Sequence, residues 1–258
     1  MRMRLFQRAA IGALLFAPAP LSAQDMLQGV DLSQPAYSQS ELTRADVEAA
    51  IKAGKLDFSG KSLNGLDLSG LDLTGANFRA ARLNKARLAG AKLDKAILDQ
   101  AWLMQADLTG ASLKGAQAFA AQMQKLRGDG ADFSGARVAG DLSGASLRGA
   151  IFNGANLSAD MKNQSMGLMR AVLRSALLDK AKFVAANLMS ADLRFAHAGG
   201  ADFTDANLMN ADAAGADFTG AIFKGAHTKD LDLDSAQIDA ASEGALSQAQ
   251  HLDRARRR

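Results

Sequence analysis

The chain has 258 residues, 48% of them hydrophobic but only 5% aromatic, with 24 glycines, no cysteine and a formal net charge of +3. That length supports one large domain or two small ones, and so little aromatic area means a core built from small uniform pieces. The lack of cysteine excludes disulfides, thiolate metal sites, cysteine nucleophiles and lipid attachment through cysteine.

Residues 1–23 differ in character from the rest of the chain. Arg2, Arg4 and Arg8 make a basic start, Ala9 to Ala17 an apolar run, and Pro18 and Pro20 precede Leu21-Ser22-Ala23. This is the layout of a secretory signal peptide cut after Ala23, and the run falls short of the ~20 apolar residues that span a bilayer. The expectation is export to the periplasm or beyond, with no transmembrane segment in the mature chain. Cleavage removes three arginines and no acid, which leaves basic and acidic side chains equal in number. Bulk charge therefore gives no case for nucleic-acid binding. Residues 24–40 read as a flexible leader. Residues 41–55 read as a capping helix, with a capping-box start at Thr43-Arg44-Ala45-Asp46 and a stop at Gly54.

From Phe58 a large apolar residue recurs every five positions, through Leu63, Leu68, Leu73, Phe78 and Leu83 to Leu113. Alanine stands two residues before most of them, as at Ala76, Ala81 and Ala86. A period of five fits neither a helix nor a flat strand, but it fits a short extended piece followed by a turn. Within a unit the alanine and the large residue flank a polar one, such as Asn77 or Arg82, so both point inward while it points out. Small residues closing the units make the turn possible.

Units such as Ala76-Asn77-Phe78-Arg79-Ala80 and Ala106-Asp107-Leu108-Thr109-Gly110 resemble the pentapeptide-repeat family. The resemblance implies an all-β solenoid over 56–240, a right-handed quadrilateral β-helix with four units and about 20 residues to a coil. About nine coils at the ~4.8 Å strand spacing would make a rod on the order of 45 Å long. Each coil contacts only its neighbours, so the ends need caps, and an open end is where a homo-oligomer would form. A second capping helix with a basic tail is expected over 241–258.

The phase slips twice. Val138 to Leu142 is a step of four and Leu157 to Leu168 a step of eleven, after which the original phase returns from Leu173. Ala159 to Gly167 is therefore expected to bulge, and Ala118 and Gly128 thin the core.

Residues 20 apart share a face in adjacent coils. Met169, Met189 and Met209 each follow an inward leucine and predict an outward methionine ladder, with Met161 and Met166 just before it. Thioethers in register suit an adaptable protein contact or, weakly, Cu(I). Trp102 occupies an outward position, with Met104 after it on the same face and Arg82 one coil before, within cation–π reach. That pair is a partner-contact candidate. Arg79, Arg82, Lys85, Arg87, Lys92 and Lys95 form a basic collar, and Asp192, Asp212 and Asp232 stack at an acidic end. Residues 79–182 carry 16 basic and 8 acidic side chains, residues 192–243 carry 3 and 10, and such segregation orients partners.

His197 and His227 fall on opposite faces and His251 in the expected terminal helix, so no two share a metal. Asp230, Asp232 and Asp234 alternate like the start of an EF-hand loop, but Ser235 replaces its glycine and Ala241 its glutamate. With no catalytic constellation and no cofactor site, the expectation is a non-enzymatic binding or scaffolding surface for a protein partner in the cell envelope. The resemblance offers a second reading, since well-studied members of the family bind DNA gyrase by imitating duplex DNA. The neutral body and the basic collar oppose it, because a mimic needs the negative charge density of a duplex.

Overall fold

The structure, a computed structural model, describes residues 31–160 and 169–258. The expected signal peptide, the leader up to residue 30, Met161, Met166 and Leu168 lie outside the described residues.

The five-residue units stack into four columns of parallel bridges. The columns begin Asp57–Asn77–Ile97–Gln117, Ser62–Arg82–Trp102–Gln122, Asp67–Arg87–Asp107–Arg127 and Asp72–Lys92–Ser112–Asp132. We call these faces one to four. Bridged partners are 20 residues apart, the separation also of the side-chain bond from Asn77 to Asp57. Each unit contributes only one or two bridging residues before it turns. At the turn the carbonyl of the large residue accepts from the next alanine, as Leu73 O does from Ala76 N at 3.0 Å.

Two local causes make that turn. First, the residue closing each unit adopts positive φ, and glycine supplies it at Gly75 (φ 72°). Lys85, Lys95, Gln105 and Phe195 adopt the same conformation at φ 56–59°, so the coil imposes it even where no small residue stands. Second, where the outward residue is Asp or Asn, it commonly folds its side chain onto its own turn. Asp67 Oδ1 accepts from Ser69 N at 3.0 Å, Asp132 Oδ1 from Ser134 N at 2.9 Å, and Asn187 Oδ1 from Met189 N at 3.1 Å. This is why Asp and Asn recur at the outward position: they satisfy a turn N–H that no backbone carbonyl of the neighbouring coils reaches.

Inside, the alanine and leucine columns are buried through most of the described stack, with Leu66, Leu71 and Ala226 near its ends only partly so. Face four departs from leucine halfway. Phe133, Phe152, Phe183, Phe203 and Phe223 stack with centroids 4.7, 4.9, 5.0 and 5.3 Å apart and planes within 7° of parallel. The coil spacing sets that stacking distance.

The phase slips have distinct structural outcomes. At the first, the corner between faces one and two disappears and the chain runs straight as β2 (Arg137–Asp141) beside β1 (Gln117–Gln122). Ala120 and Ala121 then oppose Gly140 alone, a β-bulge that absorbs the missing residue. Partners spanning this point are 19 apart, as in Arg148 N to Asp129 Oδ1. At the second slip, Asp141 bridges Val172 and Asn156 bridges Asn187, a separation of 31 as in Val184 N to Asn153 Oδ1. The extra residues fall between Leu157 and Leu173, and the described residues on either side of them are tied together, Asp160 N donating to Met169 O at 2.8 Å.

At the N-terminal end, α2 (Arg44–Lys52) begins with the capping box expected at Thr43 and Asp46 and buries Val47. Two expectations for the ends are corrected. The described part of the leader is ordered on face two: α1 (Pro35–Ser38) is followed by a bridge from Ser40 to Leu63, and Leu32 is buried. Residues 241–258 form no α-helix. They make 3-10 turns at Ala240–Ser242 and Leu252–Arg254, and β4 (Arg256–Arg257) pairs with β3 (Gln237–Ile238). Gln250 also bridges Asp232. The last regular coil presents unpaired backbone groups, and these capture the tail as a further coil before a helix can satisfy them internally.

Candidate interaction surface

Face two carries most of the departures from the repeat. Its N-terminal third is covered by the leader. Gln39 O accepts from Ser62 Oγ at 2.5 Å and from Asn64 Nδ2 at 3.3 Å, and Arg82 Nη2 reaches Glu41 at 3.1 Å. Tyr37 stacks on Trp102, centroids 5.6 Å apart. Trp102 is therefore half-buried beneath another ring: Arg82 is its bridged neighbour one coil before, as expected, but the ring stacks on Tyr37. Met104, expected outward beside it, is 5% exposed. The cause lies in its column: Asn64, Asn84, Met104 and Gln124 are all buried, and Asn64 Oδ1 and Asn84 Oδ1 accept the backbone N–H of the residue one coil on.

The middle of the face is a buried polar patch in which Gln124 Oε1 has no hydrogen-bond partner. Gln124 Nε2 donates to Gln122 Oε1 at 3.0 Å and to Asp141 Oδ2 at 2.8 Å, while Ser143 N reaches Asp141 Oδ1. Asp141 is 1% exposed. This buried carboxylate sits where the missing corner tightened the coil.

The C-terminal third contains the expected acidic column, with Asp192, Asp212 and Asp232 bridged in turn. It is not bare acid. Arg170, Arg174 and Arg194 all reach the Asp192 carboxyl, at 3.6, 3.1 and 2.5 Å, and Arg194 also meets Asp212 at 3.2 Å. Burial pushes Asp192 upward, but the Arg194 hydrogen bonds and the Arg194 and Arg174 charges outweigh it and hold the group below the usual carboxylate value. His251 Nδ1 lies 2.8 Å from Asp232 Oδ1, at the start of a 3-10 turn.

On face one the methionine ladder has two rungs. Met189 and Met209 are in register beside the bridged Asn187 and Asn207. Met169 does not join them, because the insertion shifts the count: Ala159 N donates to Met189 O at 3.1 Å, so the coil above Met189 is formed by residues 158–159. Further along the same face, Arg137 lies over the Phe119 ring at 5.0 Å and reaches Asp160 at 3.4 Å.

The collar is largely neutralised by its own columns. Arg79 pairs with Asp99 at 3.4 Å, Arg87 with Asp67 at 3.3 Å and Lys92 with Asp72 at 3.7 Å, each across one coil. The residues that sequence reasoning missed are Tyr37, Arg170, Arg174 and Arg194. Tyr37 gave no periodic signal. The three arginines became conspicuous only once the coil count placed them around Asp192.

Among the described residues no helix is long and apolar enough to cross a membrane, and no cluster of three or more His, Asp or Glu could hold a metal ion.

Comparison with known proteins bears on the repeat. The family described as "Pentapeptide repeats" matches in eight copies, over residues 53–84, 72–110, 86–124, 129–159, 168–197 and 186–225. Among solved structures, the chain is similar to HetL, a pentapeptide repeat protein involved in heterocyst differentiation regulation from the cyanobacterium Nostoc sp. strain PCC 7120. Identity is 28% over 74% of this chain and 97% of that one, at a TM-score of 0.46. It is also similar to QnrB1, a plasmid-mediated fluoroquinolone resistance protein. The full-length form is 17% identical over 72% of this chain and 98% of its own, at 0.53, and a trypsin-treated form 15% identical over 75% and 90%, at 0.55. The QnrB1 likeness speaks to fold alone. No curated protein matches.

Proposed function

This chain belongs to the pentapeptide-repeat family, whose members fold as β-helix solenoids, and from that premise we propose that it is a non-enzymatic, exported solenoid acting as a rigid protein-binding or scaffolding surface in the cell envelope. The right hand and square section implied by the family are part of this proposal. One observation carries the reading: the regular coils, from Asp57 to His227, are tied to one another by backbone bonds on all four faces, so the backbone holds outward positions at a constant spacing over many coils. A surface of that kind needs little backbone ordering when it meets a partner, which supports a recognition role. The basic start, apolar run and Leu21-Ser22-Ala23 support export.

The test is cell fractionation with an intact mass on the recovered protein, followed by cross-linking in the compartment found. A periplasmic or secreted species lacking residues 1–23, cross-linked to an envelope protein, is expected. A full-length cytosolic species would overturn the export reading and make a topoisomerase supercoiling assay the leading experiment. A duplex mimic is disfavoured here because cations and carboxylates alternate down the start of face three, as in Arg87–Asp67 and Arg127–Asp107, and arginines sit on the acidic column of face two at Asp192 and Asp212.

A further inference from the structure

Among the described residues around Asp192 the cations outnumber the anions. Its carboxyl is 1% exposed and takes Arg194 Nε at 2.9 Å, Arg194 Nη2 at 2.5 Å, Arg174 Nη2 at 3.1 Å and Arg170 Nη2 at 3.6 Å, besides the Arg194 backbone N–H at 3.2 Å. A carboxylate offers about four lone-pair sites, so these donors exhaust it. The second acid in reach is Asp212, through Arg194. Elsewhere on the solenoid one carboxylate serves one or two cations, as Asp72 serves Lys92 and Asp67 serves Arg44 and Arg87. Here three guanidiniums share two carboxylates.

Arg174 Nε is buried with no hydrogen-bond partner, as is Arg82 Nε at its pair with Glu41, so the fork is held short of satisfying itself. A further detail separates this cluster from a structural staple. The side chains of Arg170, Arg174 and Arg194 nevertheless keep 26, 33 and 32% of their surface exposed, above a carboxylate that keeps 1%. Positive charge thus faces solvent over a neutralised floor. Arg170 stands at the root of the insertion, and its Nη1 is anchored on Ser190 O at 3.3 Å.

We propose that Arg170, Arg174 and Arg194 form an oxyanion-binding site on face two, which takes a phosphate or carboxylate group. Asp192 holds the forks in one geometry before the ligand arrives, so little ordering remains to be done on binding. Planar guanidinium forks match both oxyanions, and the local excess of positive charge is what the ligand neutralises. The site does not depend on the scaffolding reading, because a free anion would occupy it without any protein partner.

The test is an NMR titration of the arginine Nε–Hε signals of the whole chain, with sodium phosphate in one arm and sodium acetate in the other, at constant ionic strength in chloride. The expected result is a saturable shift of Arg170 and Arg174 in at least one arm, and the arm that saturates tells phosphate from carboxylate. Arg174→Gln should weaken that binding by about tenfold or more, while Arg87→Gln on face three should leave it unchanged. Shifts that fail to saturate, or that appear equally at Arg87, would mean charge screening only and would overturn the site. Should Arg174→Gln fail to fold, the wild-type titration still decides the question.

Discussion

Tyr37 lies face to face with Trp102, their planes 10° from parallel, so a residue from before the first coil is fastened to the third. Trp102 is the single tryptophan, which makes its emission a clean reporter of that contact. Tyr37→Ala is expected to red-shift the emission and to lower stability by about 1 kcal/mol, the usual worth of an aromatic pair beyond its burial. Tyr37→Phe should retain both. An unchanged spectrum in Tyr37→Ala would show that the leader does not cover face two in solution.

Gly140 and Gly110 make a matched pair. A Cβ on Gly140 would lie 2.4 Å from the carbonyl oxygen of Ala121, inside the bulge, whereas one on Gly110 meets nothing within 4 Å. Gly110→Ala has only its positive φ of 63° to contend with and should cost about 1 kcal/mol. Gly140→Ala must move backbone and should cost roughly 3 kcal/mol or more, by urea unfolding. Equal losses would contradict the bulge.

Phe183 sits between Phe152 and Phe203 at 4.9 and 5.0 Å. Phe183→Ala should destabilise by about 3–5 kcal/mol through lost transfer energy and the cavity left behind. Phe183→Leu should cost clearly less, because Leu73, Leu93 and Leu113 fill the same column in earlier coils. Thermal unfolding of the two variants compares them directly.

The outward aspartates make the solenoid sensitive to acid. At Asp132 burial pushes the carboxyl upward, but the Ser134 side-chain and backbone bonds and Lys114 bring it below its ordinary value of 3.8. At the exposed Asp67 the bonds from Ser69 lower it. A carboxylate lowered on folding adds stability above its unfolded pKa, and that stability is lost as pH falls from about 4 through the folded value. Asp132→Asn keeps the acceptor for Ser134 N but cannot titrate. Between pH 7 and pH 3 it should lose less stability to urea than wild type, and an equal loss would assign the acid sensitivity to other groups.

Most of the architecture was legible because it is local and periodic. The inward Ala and Leu or Phe, the turn every five residues and the two slips are written in spacing alone, and the capping box at Thr43 and Asp46 is a four-residue signal. The role of the outward Asp and Asn was open to the same reading: Ser or Thr two residues later, as at Asp107 and Thr109, marks a side chain closing its own turn. The surface sites were less legible. Met169 was placed by counting 20 back from Met189, a rule that fails within an insertion, where Asn156 and not a residue beside Met169 bridges Asn187.

By itself the sequence determined the coil, since each inward position is chosen by neighbours five residues away and by a column partner at one constant offset. Tertiary structure decided what lies outside that periodicity: Tyr37 over Trp102, the burial of Met104, the tail captured as a last coil, and three arginines around Asp192. Those contacts join segments whose separation obeys no repeat. Their partners are set by where free hydrogen-bonding edges and unneutralised charge come together in space.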